Sequence, residues 1–277
     1  MRDATGLVSA PTSIDDPDDP RVAEYRALND AALRRAIEGA EVCIAEGSLV
    51  VERLLQTSFA VRSFLVSDRR WQSLGPLATA LEAHPAPTYL ASQAVMNQVA
   101  GFDIHRGVLA SATRPALLPP VELLDAALVV AVLEGINDHE NMGVIFRNAD
   151  ALGVDAIVLD STSCDPLYRR AIRVSMGAVF AVPFTRFADL DELEGFTLVA
   201  LSPSGEHPLD EVDADRVAIL LGAEGPGLSH RTLAASDVRA RISMRAGIDS
   251  LGVASASAIA FQYFGRRHFG GGRGTRH

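Results

Sequence analysis

The chain has 277 residues, a net charge of −10, and apolar residues at 48% of positions. That is enough for two ordinary domains with sizeable cores, and no apolar run approaches the roughly 20 residues of a membrane helix. Two cysteines, Cys43 and Cys164, exclude a disulfide framework, and no clustered histidines accompany them as metal ligands.

The N-terminus lacks a basic segment followed by an apolar stretch, so no signal peptide is expected. These features predict a cytoplasmic protein without a membrane span or metal. Every basic side chain besides histidine is Arg; acid gathers at Asp15, Asp16, Asp18 and Asp19, and Arg at 69–70, 169–173 and 266–267. Such segregation fits either a compositional bias or a local basic face on an acidic protein.

In chain order, residues 1–20 carry Pro, Asp and Ser without apolar period and are expected to be a disordered leader. Residues 21–113 alternate short strands (42–45, 64–67, 89–91, 107–110) with helices (48–56, 94–99). Residues 114–120, from Arg114-Pro115 to Pro119-Pro120, read as a linker. From 121 to 265 the strands are longer and more apolar (128–133, 156–159, 198–201, 217–221). Helical stretches separate them, which predicts a mostly parallel α/β sheet covered on both faces. Residues 266–277, rich in Gly and Arg, are expected to be a flexible tail.

Ligands of open parallel sheets sit at the carboxyl ends of strands. After Leu133 comes an Asn-rich stretch with Asn137, Asn141 and Asn148, and Arg147 lies among them. It reads either as a polar site or as a capped helix start, with Asn137 or Asn141 as the cap. After Leu221, the run Gly222-Ala223-Glu224-Gly225-Pro226-Gly227 lets backbone approach a ligand closely, without the spacing of a phosphate loop. Ile242 to Ser255 then leads into a helix of small residues from Ala254. That helix suits either an interface or a tight core.

Three segments in this order resemble one family. They are Asn141-x-Gly143-x-x-x-Arg147 through Gly153; Asp165-Pro166 through Ser175-Met176-Gly177-Ala178 to Pro183; and Leu221 to Leu228 followed by Ile242 to Ser255. Together they resemble the SpoU (TrmH-like) RNA 2′-O-ribose methyltransferases of the SPOUT superfamily, over about residues 125–264. The resemblance implies a C-terminal trefoil knot, S-adenosylmethionine as cofactor, an RNA substrate, expected to be ribosomal, and a homodimer. Residues 21–113 resemble the small α/β RNA-binding domain often fused to these enzymes, with Arg62, Arg69, Arg70 and Arg106 as candidate RNA contacts.

By the same resemblance, Leu201, Gly222, Ile242 and Leu251 would hold the cofactor. Arg147, Asn141, Glu224 and Ser250 would form the catalytic set. A guanidinium is hard to deprotonate, so Arg147 is expected to orient the hydroxyl and stabilise developing charge rather than act as base. The sequence departs from the family at Gly252, where Asn is usual, and at Ser243, where Pro is usual. Asn148 or water would then replace the missing amide. A knotted, ribosome-associated RNA-binding factor with weak or no methyl transfer is the alternative. The helix ending in Phe261, Tyr263 and Phe264 is expected at the twofold interface.

Overall fold

The computed structural model describes residues 10–30, 34 and 41–270, with the side chains of 267–270 set aside. The chain divides into two compact units, Met1–Pro115 with Leu167–Phe180, and Ala116–Pro166 with Ala181–His277.

The first unit is built on a five-stranded sheet of β1 (Thr12–Ile14), β2 (Val42–Glu46), β3 (Val61–Ser67), β4 (Thr88–Ala91) and β5 (Val108–Thr113), in the order β1-β4-β3-β5-β2. β1, β4 and β3 run parallel, while β5 is antiparallel to β3 and β2. Helices α1 (Ser48–Leu55), α2 (Asp68–Trp71), α3 (Pro76–Ala83) and α4 (Gln93–Ala100) connect the strands. A 3-10 turn over Pro20–Tyr25 is capped by the Asp19 side chain. It buries Tyr25, whose hydroxyl bonds Ser63 O at 2.7 Å and accepts from Ser111 N at 3.1 Å. Burial pushes that phenol far above its ordinary pKa, so Tyr25 serves as a neutral hydrogen-bonded core residue.

Three sequence expectations are corrected here. The leader is not wholly disordered: Thr12–Ile14 pairs with β4 and Ile14 is buried. A three-residue edge strand is too short to show an apolar period. Residues 1–9 of the leader and 271–277 of the tail lie outside the described residues. The tail expectation fails at its start, because the last helix continues to Gly270. Residues 121–265 are not one continuous unit either. Leu167–Phe180 joins the first unit, where helix α7 (Arg169–Val174) packs against β2. Arg169 pairs there with the carboxylate of Glu46, donates to Leu28 O at 3.1 Å and stacks over Phe102. Of the two readings of the Arg groups, neither describes Arg169, which is largely buried structure.

Small residues of the second motif serve the same docking. Ser175 is fully buried and donates to Ile172 O. A Cβ at Gly177, whose φ is +85°, would meet the Arg53 side chain at 3.3 Å.

The second unit holds a seven-stranded sheet with every pairing parallel. Its strands are β6 (Val129–Glu134), β7 (Ala156–Leu159), β8 (Phe184–Arg186), β9 (Thr197–Leu201), β10 (His207–Pro208), β11 (Val217–Gly222) and β12 (Val238–Arg241). The order is β10-β12-β9-β11-β6-β7-β8. Alternating apolar residues bury both faces. Val130, Val132, Val158, Ala200, Ala218 and Leu220 share a core with helix α5 (Pro120–Leu124).

On this unit, helix α6 (His139–Leu152) packs with the final helix α9 (Val253–Gly270), and α8 (His230–Ala235) lies against β9. A Cβ at Gly265 would stand 1.8 Å from Leu152 O, so the small residues of α9 permit close approach to α6. Phe261 and Phe264 are buried within the protomer, and Tyr263 donates to Asp210 O and Val212 O. These aromatics are therefore not free to form the twofold interface expected of them. Among the described residues, no helix is long and apolar enough to cross a membrane.

Candidate active site

From β6 the chain steps outward to β7 and β8, then returns to the other side of β6 for β9 and β11. The strand order thus reverses between β6 and β11, and such a switch point opens a crevice at the carboxyl ends. A cavity of about 1150 Å³ lies there. It gathers residues from the ends of β6 (Glu134), β9 (Leu201) and β11 (Gly222), and from the turns after β7 (Asp160, Thr162) and β12 (Ile242).

The turn after β11 makes one wall. Gly227 N bonds Ala223 O at 3.0 Å, with Gly225 and Gly227 at φ of +90° and +70°. A Cβ at Gly222 would stand 2.3 Å from both Gly227 C and Leu228 N. Only glycine fits at 222, because backbone folds directly over it. Glu134 ties this wall to the sheet, its Oε1 accepting from Ser229 N at 3.1 Å. The other oxygen, Oε2, is enclosed and has no hydrogen-bond partner among the described residues.

Asp160 organises the opposite wall. Its Oδ1 accepts from Gly135 N at 3.1 Å and Ser163 N at 2.8 Å, and its Oδ2 accepts the Thr162 hydroxyl. Burial pushes its pKa up, yet these hydrogen bonds outweigh burial and hold it below the usual carboxylate value. Arg186 fixes the same turn through Asp160 O at 2.6 Å and Ser163 O at 3.2 Å. Beside it, burial first and then the charges of Asp165 and Asp138 push the Cys164 thiol up to about 12, so this cysteine is no nucleophile near neutral pH.

All four residues expected to hold a cofactor, Leu201, Gly222, Ile242 and Leu251, line the cavity. Glu224 and Ser250 line it as well, and a Cβ at Gly252 would lie 3.4 Å from Glu224 Oε1. Asn141 and Arg147 sit on α6 and are not among the lining residues; Arg147 is exposed, with no hydrogen bond or ion pair to another described residue. The cap of α6 is neither Asn137 nor Asn141 but Asp138, which accepts from Glu140 N and Asn141 N. Asn148 does not stand in for the amide missing at 252. Its Nδ2 donates to Ala254 O at 2.8 Å and Ser257 Oγ at 3.0 Å, joining α6 to α9.

Of the candidate RNA contacts, Arg70 and Arg106 flank the start of α1. Arg70 Nη2 lies 3.1 Å from Ser48 Oγ, and the Arg106 side chain crosses Gly47. Arg69 is exposed beside them in sequence. Arg62 stands at the far end of β3, in an ion pair with Glu24 at 2.6 Å. Glu134, Asp160 and Thr162 are the site residues that sequence reading missed. A carboxylate ending a strand, and Asp followed by hydroxyl residues after another, were the available signals.

The fold and crevice define a parallel α/β protein that takes a small organic ligand at its sheet switch point. A family model described as the SpoU rRNA methylase family matches residues 128–262. An uncharacterized tRNA/rRNA methyltransferase of Mycobacterium tuberculosis (strain ATCC 25618 / H37Rv) is 47% identical over 259 residues, 89% of this chain and 88% of that protein. The 23S rRNA (guanosine-2′-O-)-methyltransferase RlmB of Escherichia coli (strain K12) is 28% identical over 208 residues, covering 71% and 86%. The crystal structure of the SpoU methyltransferase AviRb from Streptomyces viridochromogenes, in complex with AdoMet, shares the fold. It has a TM-score of 0.76 at 20% identity, covering 91% of this chain and 99% of AviRb. The chain belongs to the SpoU rRNA methylase family.

Proposed function

We propose that this protein transfers the methyl group of S-adenosylmethionine to a ribose 2′-hydroxyl of RNA, with ribosomal RNA as the substrate class and the cytoplasm as its place of work. The observation that carries this reading is the switch-point cavity of a SpoU family chain, walled by the Gly222 turn and the 242–252 segment. The residues fit the cofactor. Leu201, Ile242 and Leu251 offer apolar contact, and the tight turn at Gly222 offers backbone groups. When bound, S-adenosylmethionine supplies an electrophilic methyl on a positively charged sulfur.

The protein's share is positioning and charge. Glu224 and Ser250 place polar side chains in the cavity, where they orient the ribose. Arg147 would meet the nucleophilic oxygen and stabilise the charge that develops as its proton leaves. Arg147 is not itself a lining residue, and bound RNA or a second copy of the chain would complete that contact. Arg70 and Arg106, with Arg69, are proposed to hold RNA phosphates.

We also propose the trefoil knot and a homodimer. In support of the knot, the chain leaves β12, beyond β9, and returns past the β11 turn to lay α9 on α6. An experimental Cα trace that pulls straight when its ends are drawn apart would overturn it. In support of the dimer, α9 exposes the stripe Ser255, Ile259, Gln262 and Arg266.

The test of function is incubation with ribosomal RNA and labelled methyl donor, followed by mapping of ribose methylation. One 2′-O-methylated nucleotide is the expected result. The alternative, an RNA-binding factor without transfer, has Gly252 on its side. Donor binding and RNA binding without any methylated ribose would establish it.

A further inference from the structure

We infer that Asn137 is a specificity-determining residue that reads the base of the nucleotide to be methylated. The inference rests on the methyltransferase reading above.

The cavity has room for more than the cofactor. Pockets for a single small ligand run up to roughly 1000 Å³, and this one holds about 1150 Å³. The apolar residues proposed to hold the cofactor, Leu201, Ile242 and Leu251, come from the β9 and β12 side of the β11 turn. On the other side of that turn, Gly135, Asn137, Asp160 and Thr162 line the cavity from the ends of β6 and β7.

On this second side the polar groups differ in what they have left to offer. Both oxygens of Asp160 are taken, by Gly135 N and Ser163 N and by the Thr162 hydroxyl. Asn137 is exposed, and its carboxamide has no hydrogen bond to another described residue. Its backbone, in contrast, is pinned on both sides. Ile136 is buried, its N donates to Ser163 Oγ at 3.0 Å, and its O accepts from Cys164 N at 2.9 Å. Asp138 caps α6 and so relieves Asn137 of that duty. An unbound carboxamide on a fixed mount can recognise a ligand at little ordering cost.

A carboxamide presents a donor and an acceptor side by side. No lining residue is Arg or Lys, so the phosphates of RNA gain no charge partner inside, and the neutral parts of the nucleotide suit the cavity better. Each base has an edge with a donor next to an acceptor. In an RNA duplex those edges are paired or sunk in a deep groove, whereas an unpaired base offers them to a side chain. The target is therefore an unpaired nucleotide, with its base against Asn137 and its ribose toward Glu224 and Ser250.

The test uses the full-length protein and ribosomal RNA fragments that carry each of the four bases at the nucleotide found to be methylated. Affinity for each fragment is measured with S-adenosylhomocysteine present, so that no transfer occurs, and single-turnover rates follow with S-adenosylmethionine. Wild type should favour one base by about tenfold or more in affinity, the scale of a base contact made with two hydrogen bonds. Asn137→Ala should keep the melting temperature and the donor affinity, and should bind the four fragments alike. Asn137→Asp replaces the donor by an acceptor and should move the preference to another base. A preference that survives either substitution, even with every rate lowered, overturns the inference. Wild type that methylates all four fragments equally overturns it too, and spares the methyltransferase reading. Wild type that methylates no ribosomal RNA defeats that reading, and the inference with it.

Discussion

Arg147 is an exposed guanidinium with no hydrogen-bond or ion-pair partner among the described residues, whereas Asn148 beside it is tied to α9. A structural Arg would be tethered, as Arg186 is. Arg147→Ala should leave the melting temperature and donor affinity nearly unchanged, and cut the single-turnover rate of methyl transfer by about a hundredfold or more. Arg147→Lys should rescue little, because a point charge does not reproduce the planar fork. Normal turnover in the alanine variant would make Arg147 an ordinary surface residue. Asp160 yields a prediction about acid. Its folded pKa lies below the ordinary carboxylate value, so the stability it contributes is present above that ordinary value. That stability is lost as the pH falls through the lower, folded pKa. Asp160→Asn should be less stable than wild type at pH 7, and the gap should narrow as denaturant midpoints are followed into acid, below the ordinary carboxylate range. A gap that stays constant with pH would assign the loss to hydrogen-bond geometry instead.

Segment 167–180 shows how a stretch lying between two strands of one sheet is claimed by another. Its helix α7 is short, and the contacts that fix it are the Glu46 pair, the Leu28 carbonyl and the buried Ala171 and Ile172. Glu46 is 4% exposed, so removing its partner or itself leaves a nearly desolvated charge. Glu46→Ala should therefore lower unfolding free energy by about 3 kcal/mol in urea titrations, and replacing both residues by apolar ones should recover much of it. A loss of less than about 0.5 kcal/mol, typical of a surface pair, would show that water reaches the site.

At the scale of the molecule, RNA affinity should depend on Arg70 and Arg106 more than on Arg62, which Glu24 already neutralises. The double variant Arg70→Ala/Arg106→Ala should bind ribosomal RNA more weakly and lower the slope of log affinity against log salt by about 2, one for each lost phosphate contact. Arg62→Ala should change the slope little; the reverse ranking would relocate the RNA surface. Point variants suit this question better than a chain cut at Val121, since that cut would strand residues 167–180 without the sheet they pack on. Light scattering should give a dimer at micromolar concentration. Ile259→Arg should shift it to a monomer, because this substitution adds charge to the exposed stripe of α9. A wild-type monomer would overturn the assembly, and an unaffected dimer would move the interface elsewhere.

Four strands of the parallel sheet were legible to within a residue, because strands buried on both faces are nearly continuously apolar, as 129–133 and 217–221 are, whereas β8, β10 and β12, two to four residues long, left no such run. The glycines at 222, 225 and 227 and the order of three motifs carried the family and one wall of the site, since tight backbone leaves a compositional trace. Three things were not written locally. Thr12–Ile14 became a strand because β4 offered an edge, and a three-residue pattern holds no period. Arg169 and Asn148 became structural because distant partners, Glu46 and Ala254, came within hydrogen-bond reach. Asp160 came to organise one wall of the site because Gly135 N and Ser163 N met its carboxylate. Sequence fixes which groups each residue carries, whereas burial and pairing depend on which segments meet across 27 to more than 100 positions, and only the folded chain brings them together.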